Sequence, residues 1–358
     1  MDNHIFIIAE AGVNHNGNPD MAFQLVDAAY EAGADAVKFQ IFKTENMVTQ
    51  EAMKADYQKL STSAAESQFS MLKRLELSNS VYYELLNYSN KKGIKFLSTA
   101  FDFESLDFLV NNLCVNTLKI PSGEITNGPL LLAHAVTGKS LIVSTGMATI
   151  EEIEKALAVI AFGLIGTKVK PSKTAFELAY QSESGQQLLK EKVTLLHCTT
   201  EYPALPEEIN LRAIETIRNK FGLRVGYSDH SHGITVPIAA AALGVSLIEK
   251  HFTLDKTLSG PDHKASLDPD ELRAMVRSVR KVEEIMGDGL KVPRASELNN
   301  RDVVRKSLVA AIDIKAGENF SKKNLAVKRP GIGRCPMDYW DLLGEECSDS
   351  FMADDIIR

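Results

Sequence analysis

Four of the eight histidines lie within one short stretch, GYSDHSHGITVPIAAAALGVSLIEKHFTLDKTLSGPDHKASL, residues 226–267. Two of them, His230 and His251, are 21 residues apart, about one strand–helix–strand step. Side chains one step apart would project from adjacent strands toward the same point, where neutral imidazoles can ligate a divalent metal. Because no ring of carboxylates accompanies them, such a metal would keep coordination positions for water and substrate, as a Lewis acid requires. The spacing therefore indicates a metal site on His230 and His251.

The neighbouring polar residues have weaker claims to chemistry. Asp229 and Glu249 are expected to support the two ligands or the fold. His197, within the apolar LLHCT, is expected to be structural or to support a functional residue from behind, because a buried histidine is more often a satisfied core group than a ligand. The roles of His15 and His263 stay open.

Polar residues also end most of the strand-like runs of the sequence, where a barrel enzyme places its chemistry. They are Glu10, Lys38, Gln40, Thr99, Lys119, Ser122, Glu124, Thr200, Tyr202 and Ser228. Lysines and hydroxyls together can hold a phosphate by charge-assisted hydrogen bonds. A soluble barrel needs no such polarity for stability, so these residues indicate an active site with an anion-binding half.

The elements that would position these residues follow a regular pattern. Short apolar or β-branched runs occupy 4–10, 34–42, 94–100, 116–123, 139–146, 192–199, 223–229 and 245–252. Longer amphipathic segments lie between them, such as MAFQLVDAAYEAGA after the helix-start signal Asn18-Pro19-Asp20. Eight buried-type strands alternating with helices predict an α/β fold, a (β/α)₈ TIM barrel. The alternative, a doubly wound open sheet, would need a GxGxxG turn that does not follow the first run.

The last seventy or so residues differ from the rest. Short strand-like runs, SLVAAIDI and NLAVKRP, are separated by the turn-like KAGEN and PGIGRCP. We therefore predict a barrel domain over 1–286, a linker over 287–300 and a small β-rich domain over 301–358. So small a domain has a marginal core and is expected to dock on a barrel. Two insertions, 43–65 and 163–191, lengthen barrel connections.

Composition excludes several classes of protein. The 358 residues are 44% hydrophobic and 24% charged, which is ordinary for a globular protein. A net charge of -7 argues against a nucleic-acid partner. The stretch MDNHIFIIAEAG lacks a basic region and has only a short apolar run, and no window approaches the roughly 18 apolar residues of a membrane span, so a cytoplasmic protein is expected. The four cysteines are scattered, which indicates neither a zinc ribbon nor a disulfide framework.

Several linked motifs carry a resemblance to a known family. EAGVNHNG, AVKFQ, LKIPSGE, HCTTEYP, YSDH, IEKHFT and GPDHKASL, in that order, resemble the sialic acid synthase family. These enzymes condense phosphoenolpyruvate with an amino sugar to make N-acetylneuraminate or bacterial relatives such as legionaminate. The later RKSLVAAIDIKAGE and VKRPGIG resemble the antifreeze-like (SAF) domain of that family. The resemblance implies a domain-swapped homodimer, in which the small domain of one subunit closes the barrel of the other.

The resemblance also implies a role for each matching residue. It places Mn²⁺ or Mg²⁺ on His230 and His251. It assigns phosphoenolpyruvate contacts to Lys38, Thr99, Lys119, Ser122, Thr200, Ser228 and Lys306. It assigns sugar contacts to Gln40, Tyr202, Asp262 and the partner's Arg329, and acid–base roles to Glu10 and Glu124. Thr200 stands where some members have an amide, and Arg334 and Cys335 depart from the usual tail pattern.

Three enzymatic functions and one binding function are compared. The favoured one is condensation of phosphoenolpyruvate with N-acetylmannosamine to give N-acetylneuraminate and phosphate. Its alternative is the same reaction on 2,4-diacetamido-2,4,6-trideoxymannose, giving N,N'-diacetyllegionaminate. A metal-dependent barrel aldolase or isomerase is more remote. A carbohydrate- or ice-surface-binding protein would need a Thr-rich repetitive face, and residues 290–358 contain no threonine.

Overall fold

The structure, a computed structural model, describes residues 4–55, 58 and 66–358. It divides into two compact units, Met1–Gly287 and Asp288–Arg358. In the first unit, eight parallel strands close into a barrel in their sequence order. The predicted TIM barrel is therefore confirmed. Part of the predicted 43–65 insertion, residues 56, 57 and 59–65, lies outside the described residues.

Each barrel strand overlaps one of the eight apolar runs of the sequence, although β1 begins and ends two residues later than its run. The strands are β1 Phe6–Gly12, β2 Ala36–Ile41, β3 Lys95–Ala100, β4 Thr117–Ile120, β5 Ser140–Ser144, β6 Val193–Cys198, β7 Arg224–Asp229 and β8 Leu247–His251. β1 pairs with both β2 and β8, which closes the barrel. The carboxyl ends of all eight strands therefore meet at one rim.

The helices surround the strands or lie in the second unit. Within the described residues, the α-helices are α1 Pro19–Ala32, α2 Thr44–Met47, α3 Gln68–Leu75, α4 Asn79–Lys92, α5 Phe103–Asp107, α6 Gly128–Val136, α7 Ile150–Ile165, α8 Lys173–Gln181, α9 Glu183–Lys192, α10 Ala213–Phe221, α11 Thr235–Ala242, α12 Pro269–Met286, α13 Ala295–Val304 and α14 Tyr339–Leu342. α1 begins where the sequence predicts, because Asn18 caps it and Pro19 occupies its first turn. The insertion at 163–191 folds largely into α8 and α9.

Alternation along the strands separates two environments. The inner face carries an apolar layer on the amino-terminal side of the polar strand ends, formed by Phe6, Ile8, Ala36, Leu97, Ile142, Leu196 and Leu247. Because side chains alternate along a strand, Glu249 and His251 face the barrel interior as Leu247 does, whereas Ile248 and Lys250 face the helices. The interior is thus apolar at one end and polar at the rim.

The second unit has a small core of its own. β9 Ser307–Ala310 and β10 Leu325–Lys328 pair antiparallel, as the two predicted strand-like runs require. Their core consists of Leu308, Ala310, Ile314, Phe320, Leu325, Leu342, Cys347 and Ile357. α13 begins inside the predicted linker, and no residue of this helix is buried. A helix without a buried face has no apolar periodicity, which is why the sequence did not reveal it.

The structure also describes the state of the cysteines and the character of the helices. All four cysteines are free, with Cys198 and Cys347 buried and Cys114 and Cys335 exposed. In the described part of the chain, none of the helices combines the length and the apolar character needed to cross a membrane.

Candidate active site

A cavity of about 220 Å³ opens at the rim of the barrel. Twelve of the fifteen predicted site residues line it: Glu10, Lys38, Gln40, Thr99, Lys119, Ser122, Thr200, Tyr202, Ser228, His230, His251 and Asp262. They come from the ends of β1 to β4 and β6 to β8 and from the loops that follow. Residues that are far apart in the sequence thus meet at the carboxyl ends of the strands.

Lys38 is the centre of a buried charge cluster. Its Nζ lies 2.7 Å from Glu10 Oε2 and 3.5 Å from Glu249 Oε2. It also donates a hydrogen bond of 3.1 Å to Thr99 Oγ1. All four side chains are almost wholly buried. An ammonium group so far from bulk water is stabilised by carboxylates at this range.

A second lysine shares the same carboxylate. Lys119 Nζ lies 3.3 Å from Glu249 Oε1 and donates to Ser144 Oγ at 2.8 Å. Ser228 donates to Glu249 Oε1 at 2.9 Å. Glu249 therefore bridges two lysines, a larger part than the supporting role expected from sequence. Ser144 was not predicted at all; its only signal was its position at the end of β5.

The charges of this cluster shift one another's pKa values. Burial tends to raise the pKa of Glu249, but Lys119 and Lys38 outweigh it and lower that pKa to about 2. Burial also tends to lower the pKa of Lys38, yet Glu10 and Glu249 raise it. For Lys119, burial prevails and the pKa is lowered. For Glu10, burial together with Glu249 raises the pKa despite Lys38. Glu249 and Lys38 thus form the firmly ionised part of the cluster.

The two predicted metal ligands lie side by side. The ring centroids of His230 and His251 are 5.5 Å apart. His230 Nδ1 lies 2.6 Å from the carbonyl oxygen of Thr199, so Nδ1 carries the proton and Nε2 keeps its lone pair. Burial lowers the pKa of His230 to about 4 and that of His251 well below its ordinary value. Both rings are therefore neutral at neutral pH, as metal ligands must be.

The donor set suits a divalent ion that keeps open coordination positions. His251 Nδ1 is buried without a hydrogen-bond partner among the described residues, and it lies 3.8 Å from Asp262 Oδ2. Over the same described residues, no group of three or more His, Cys, Asp or Glu side chains is arranged to hold a metal. Two imidazoles, one with an unpartnered buried nitrogen, fit a metal completed by water and substrate.

Polar side chains surround the histidine pair. The ring of Tyr202 lies 4.1 Å from that of His230 and 5.6 Å from that of His251. Gln40 Nε2 donates to Glu10 Oε1 at 3.2 Å, which connects this side of the cavity to the lysine cluster. Burial, with a smaller contribution from Glu10, raises the pKa of Asp262 to about 7. Asp262 can therefore gain or lose a proton near neutral pH.

A glycine makes room for two hydroxyl groups. Ser122 Oγ accepts a hydrogen bond of 3.0 Å from the Gly146 amide and lies 3.1 Å from Cys198 Sγ. A Cβ at position 146 would lie 2.1 Å from Thr200 Oγ1 and 2.8 Å from Ser122 Oγ. Only glycine fits there without displacing both. Thr200 Oγ1 is buried without a hydrogen-bond partner within the described chain, so it can serve a ligand.

One wall of the cavity is apolar, which the sequence analysis missed. It is formed by Val13, Met47, Met71, Leu72, Leu75 and Phe101. Several of these residues also pack together in one hydrophobic cluster with Phe42, which follows β2. The available signal was the spacing of Met71, Leu72 and Leu75 on one face of α3. We call this set the apolar wall.

Three predicted residues do not line the cavity. Glu124 ends the short turn Ser122–Glu124, and its Oε2 accepts a hydrogen bond of 2.6 Å from Asn127. Lys306 and Arg329 belong to the second unit, where they are exposed just beyond the paired residues Ser307 and Lys328. They therefore lie at the same end of the two-stranded sheet. The roles of all three stay predictions.

His197 behaves as a structural residue. Its Nε2 lies 2.8 Å from the carbonyl oxygen of Ile209, and burial lowers its pKa. It does not line the cavity of about 220 Å³. The sequence-based expectation of a satisfied histidine agrees with these contacts.

Known proteins resemble this chain over nearly its full length. The sequence pattern of the NeuB family matches residues 25–291, and that of the SAF domain matches 305–358. The N,N'-diacetyllegionaminic acid synthase of Campylobacter jejuni is 47% identical over 98% of both chains. The enzyme of the same name from Legionella pneumophila is 45% identical over 97% of this chain and 92% of its own. The N-acetylneuraminic acid synthetase of Leptospira borgpetersenii, solved with citrate, is 34% identical with a TM-score of 0.67, over 83% of this chain and 90% of that one. The chain therefore belongs to the NeuB family and is an enzyme of the sialic acid synthase type.

Proposed function

We propose that this enzyme condenses phosphoenolpyruvate with the open-chain aldehyde of an N-acyl amino sugar, giving a nine-carbon acid and phosphate. The observation that carries the proposal is one cavity with two buried lysines and two neutral histidines. The lysines supply charge for an anionic substrate, and the histidines supply ligands for a Lewis acid. Each half alone would suit many barrel enzymes, but a condensation of an anion with an aldehyde needs both.

The lysine half would bind phosphoenolpyruvate. The proposed contacts are Lys38, Thr99, Lys119, Ser122, Thr200 and Ser228. Lys119 and Lys38 share the carboxylate of Glu249. One lysine could therefore leave Glu249 to contact the substrate while the other still neutralises that carboxylate. The unpartnered hydroxyl of Thr200 offers a further donor. Charge-assisted hydrogen bonds of this kind are stronger than neutral ones and fix the phosphate and carboxylate groups.

The histidine half would receive the sugar aldehyde. Mn²⁺ or Mg²⁺ held by His230 and His251 would supply a Lewis acid for the aldehyde oxygen. Gln40, Tyr202 and Asp262 would orient the sugar. Asp262 supports this reading because its pKa of about 7 allows it to give a proton to the oxygen that becomes the new hydroxyl.

The proposed chemistry balances without a redox step. The electron pair of the C2–C3 double bond of phosphoenolpyruvate forms the bond to the aldehyde carbon, and the aldehyde oxygen takes a proton. Water adds to C2 and loses its proton to a carboxylate. As the C–O bond to phosphate breaks, the C2 hydroxyl of the resulting intermediate gives its proton to the departing phosphate, which leaves a ketone at C2. Glu10 and Glu124 are the candidate bases, and the cavity position of Glu10 favours it.

The acceptor we propose is 2,4-diacetamido-2,4,6-trideoxymannose, which the sequence analysis held as the alternative to N-acetylmannosamine. Relatives named N,N'-diacetyllegionaminic acid synthase are 47% and 45% identical, against 34% for the N-acetylneuraminic acid synthetase structure. The apolar wall supports the same choice. A C6 methyl and acetyl methyl groups gain contact there, whereas a hydroxymethyl group would lack a hydrogen-bond partner.

We also infer that the small domain of a partner subunit completes the site through Lys306 and Arg329. Exposed apolar side chains on α13, Leu298, Val303 and Val304, support a self-association of the chain. The test is a mixture of inactive His251→Ala and Arg329→Ala proteins. Exchange of subunits should restore about a quarter of the wild-type rate, because half the dimers then hold one intact site. A mixture that stays inactive after subunit exchange would contradict the swap.

The decisive experiment for the function is phosphate release from phosphoenolpyruvate, measured with each of the two sugars. We expect release to need sugar and a divalent metal, to stop with a chelator, and to be lost in the His251→Ala protein. The diacetamido sugar should be the better substrate. No release with either sugar from a folded, metal-loaded protein would reject the proposal.

A further inference from the structure

Asp262 lies on a long loop, residues 252–268, between β8 and α12. Its carboxylate lines the cavity, although most of the loop is irregular and its one described helical turn is His263–Ala265. An irregular loop positions a functional group accurately only when other side chains hold its backbone. The residues that do so here come from the loop that follows β1, VNHNG at 13–17.

Asn14 connects the two loops near their base. This fully buried side chain donates from Nδ2 to the carbonyl oxygen of Phe252 at 2.7 Å and to Ser266 Oγ at 2.9 Å. Ser266 Oγ in turn donates to the carbonyl oxygen of Asp262 at 2.7 Å. A single hydroxyl therefore links Asn14 to the backbone of the cavity carboxylate.

Asn16 and His263 connect the loops a second time. Asn16 Nδ2 donates to the carbonyl oxygen of Ser259 at 3.0 Å, which turns Oδ1 toward His263 Nε2, 3.2 Å away. Because an amide oxygen only accepts, Nε2 carries the ring proton. His263 Nδ1 then accepts from Thr253 Oγ1 at 2.7 Å. The ring thus spans the two loops with a defined tautomer.

The backbone of the loop packs tightly on this pair. A Cβ at Gly260 would lie 2.6 Å from His263 Cδ2 and 2.8 Å from Asn16 Oδ1. His263 itself is 0% exposed and does not line the cavity. Both ring nitrogens are already engaged by the loops. A direct role in proton transfer or metal binding would require breaking those bonds.

We propose that Asn16 and His263 are positioning residues that hold Asp262 at the sugar side of the cavity. The kinetic consequence rests on the proposed function, because it needs Asp262 to contact the acceptor. The connection between the loops does not, since it follows from the contacts alone. The two parts can therefore be tested separately.

The kinetic test compares Asn16→Gly with Asn18→Gly. Asn18 follows directly after the loop that carries Asn16, but its side chain caps α1 by accepting from the Asp20 and Met21 amides, and among the described residues it makes no hydrogen bond to the Asp262 loop. Glycine suits position 16, where φ is 52°. We expect Asn16→Gly to raise KM for the sugar about tenfold while KM for phosphoenolpyruvate stays within about twofold. Asn18→Gly should leave both values within about twofold. Equal changes in the two variants, or no change in Asn16→Gly, would overturn the proposal.

The structural test needs no turnover. In ¹⁵N NMR spectra at pH 7, the His263 ring should show protonated Nε2 and unprotonated Nδ1. Amide hydrogen exchange over 253–266 should be faster in Asn16→Gly than in Asn18→Gly. The opposite tautomer, or equal exchange in both proteins, would overturn the connection between the loops. Inactivity of the wild-type enzyme with every sugar would instead reject the proposed function and leave this result standing.

Discussion

Adjacent residues on β7 and β8 carry polar pairs to opposite faces of the barrel wall. Ser228 is the register partner of Glu249, and Asp229 is the register partner of Lys250. The outer pair is complete within the protein. Lys250 Nζ lies 2.6 Å from Asp229 Oδ2 and also donates to the carbonyl of Ser231, while Asp229 Oδ1 accepts from the Ser231 amide and hydroxyl at 3.0 and 2.7 Å.

The inner pair is incomplete. Glu249 is held by its two lysines at the longer distances of 3.3 and 3.5 Å, and the buried Thr200 Oγ1 and His251 Nδ1 of the same cavity have no hydrogen-bond partner among the described residues. A buried polar group without a partner costs stability unless a ligand or a rearrangement satisfies it. We infer that similar buried charges stabilise the fold where their partners are complete and are available to a ligand where they are not.

The largest effect should come from the inner cluster. Replacing Lys119 by Met should lower kcat/KM for phosphoenolpyruvate by at least about 10³-fold, because a charged contact to the substrate is lost. Stability to urea should change by less than about 1 kcal/mol, since Lys38 and Ser228 still contact Glu249 and the buried ammonium is gone. Lys139→Met, at the residue before β5, is the control. If Lys119→Met lowered the free energy of unfolding by several kcal/mol as well as lowering activity, the two pairs would not differ in the way described.

The outer pair should give the reverse result. Lys250→Met leaves Asp229 as an unpaired buried charge and should lower the free energy of unfolding by about 3–5 kcal/mol. The turnover of the folded fraction should stay within about threefold of wild type. Adding Asp229→Leu should recover much of the stability, because an apolar pair replaces the ion pair. A double variant that is no more stable than Lys250→Met would contradict a self-contained pair.

The buried histidine on α6, His134, should make the stability of the protein depend on pH. Burial lowers the pKa of His134 on α6 from 6.5 to about 4. Between these values the unfolded chain binds the proton and the folded one does not, so stability is present above pH 6.5 and falls as the pH drops toward 4. Below pH 4 the full shift has lowered the free energy of unfolding by about 3 kcal/mol relative to pH 7. Urea unfolding from pH 7 to 4 should show a shallower loss in His134→Leu than in wild type. Parallel curves would refute this assignment.

The smallest predicted effect concerns the apolar wall. Leu72→Asn should lower the preference for the diacetamido sugar over N-acetylmannosamine by up to about tenfold, because the asparagine offers a hydrogen-bond partner to the C6 hydroxyl. Leu132→Asn on α6, away from the cavity, is the matched control and should leave the ratio of kcat/KM values unchanged. An unchanged ratio in Leu72→Asn would mean that the wall does not select the sugar.

The sequence predicted most of the residues on the inner face of the barrel rim, but not all of their contacts. Strand ends of a parallel barrel meet at one rim, so listing their polar residues was enough to assemble most of the cavity. The sequence pattern could not predict that Glu249 contacts two lysines, because a carboxylate at a strand end gives the same pattern whether one lysine or two lie beside it. Met71 and Leu72 were missed because their spacing shows a buried face without showing what that face covers.

The tail sets a different limit. β9 and β10 follow from alternating apolar residues, yet α13 has no buried face and left no periodic signal. Lys306 and Arg329 were named through family motifs alone. The contacts within one chain give them a shared sheet end but not a substrate.

The proposed condensation is tested directly with phosphoenolpyruvate labelled with ¹⁸O in the bridge between C2 and phosphorus. Wild-type enzyme, metal and the diacetamido sugar should release phosphate that carries the label, while the new ketone oxygen comes from water. That result would require attack of water at C2 and cleavage of the bond between C2 and the bridging oxygen. Label retained in the sugar acid, or unlabelled phosphate, would contradict the proposed condensation.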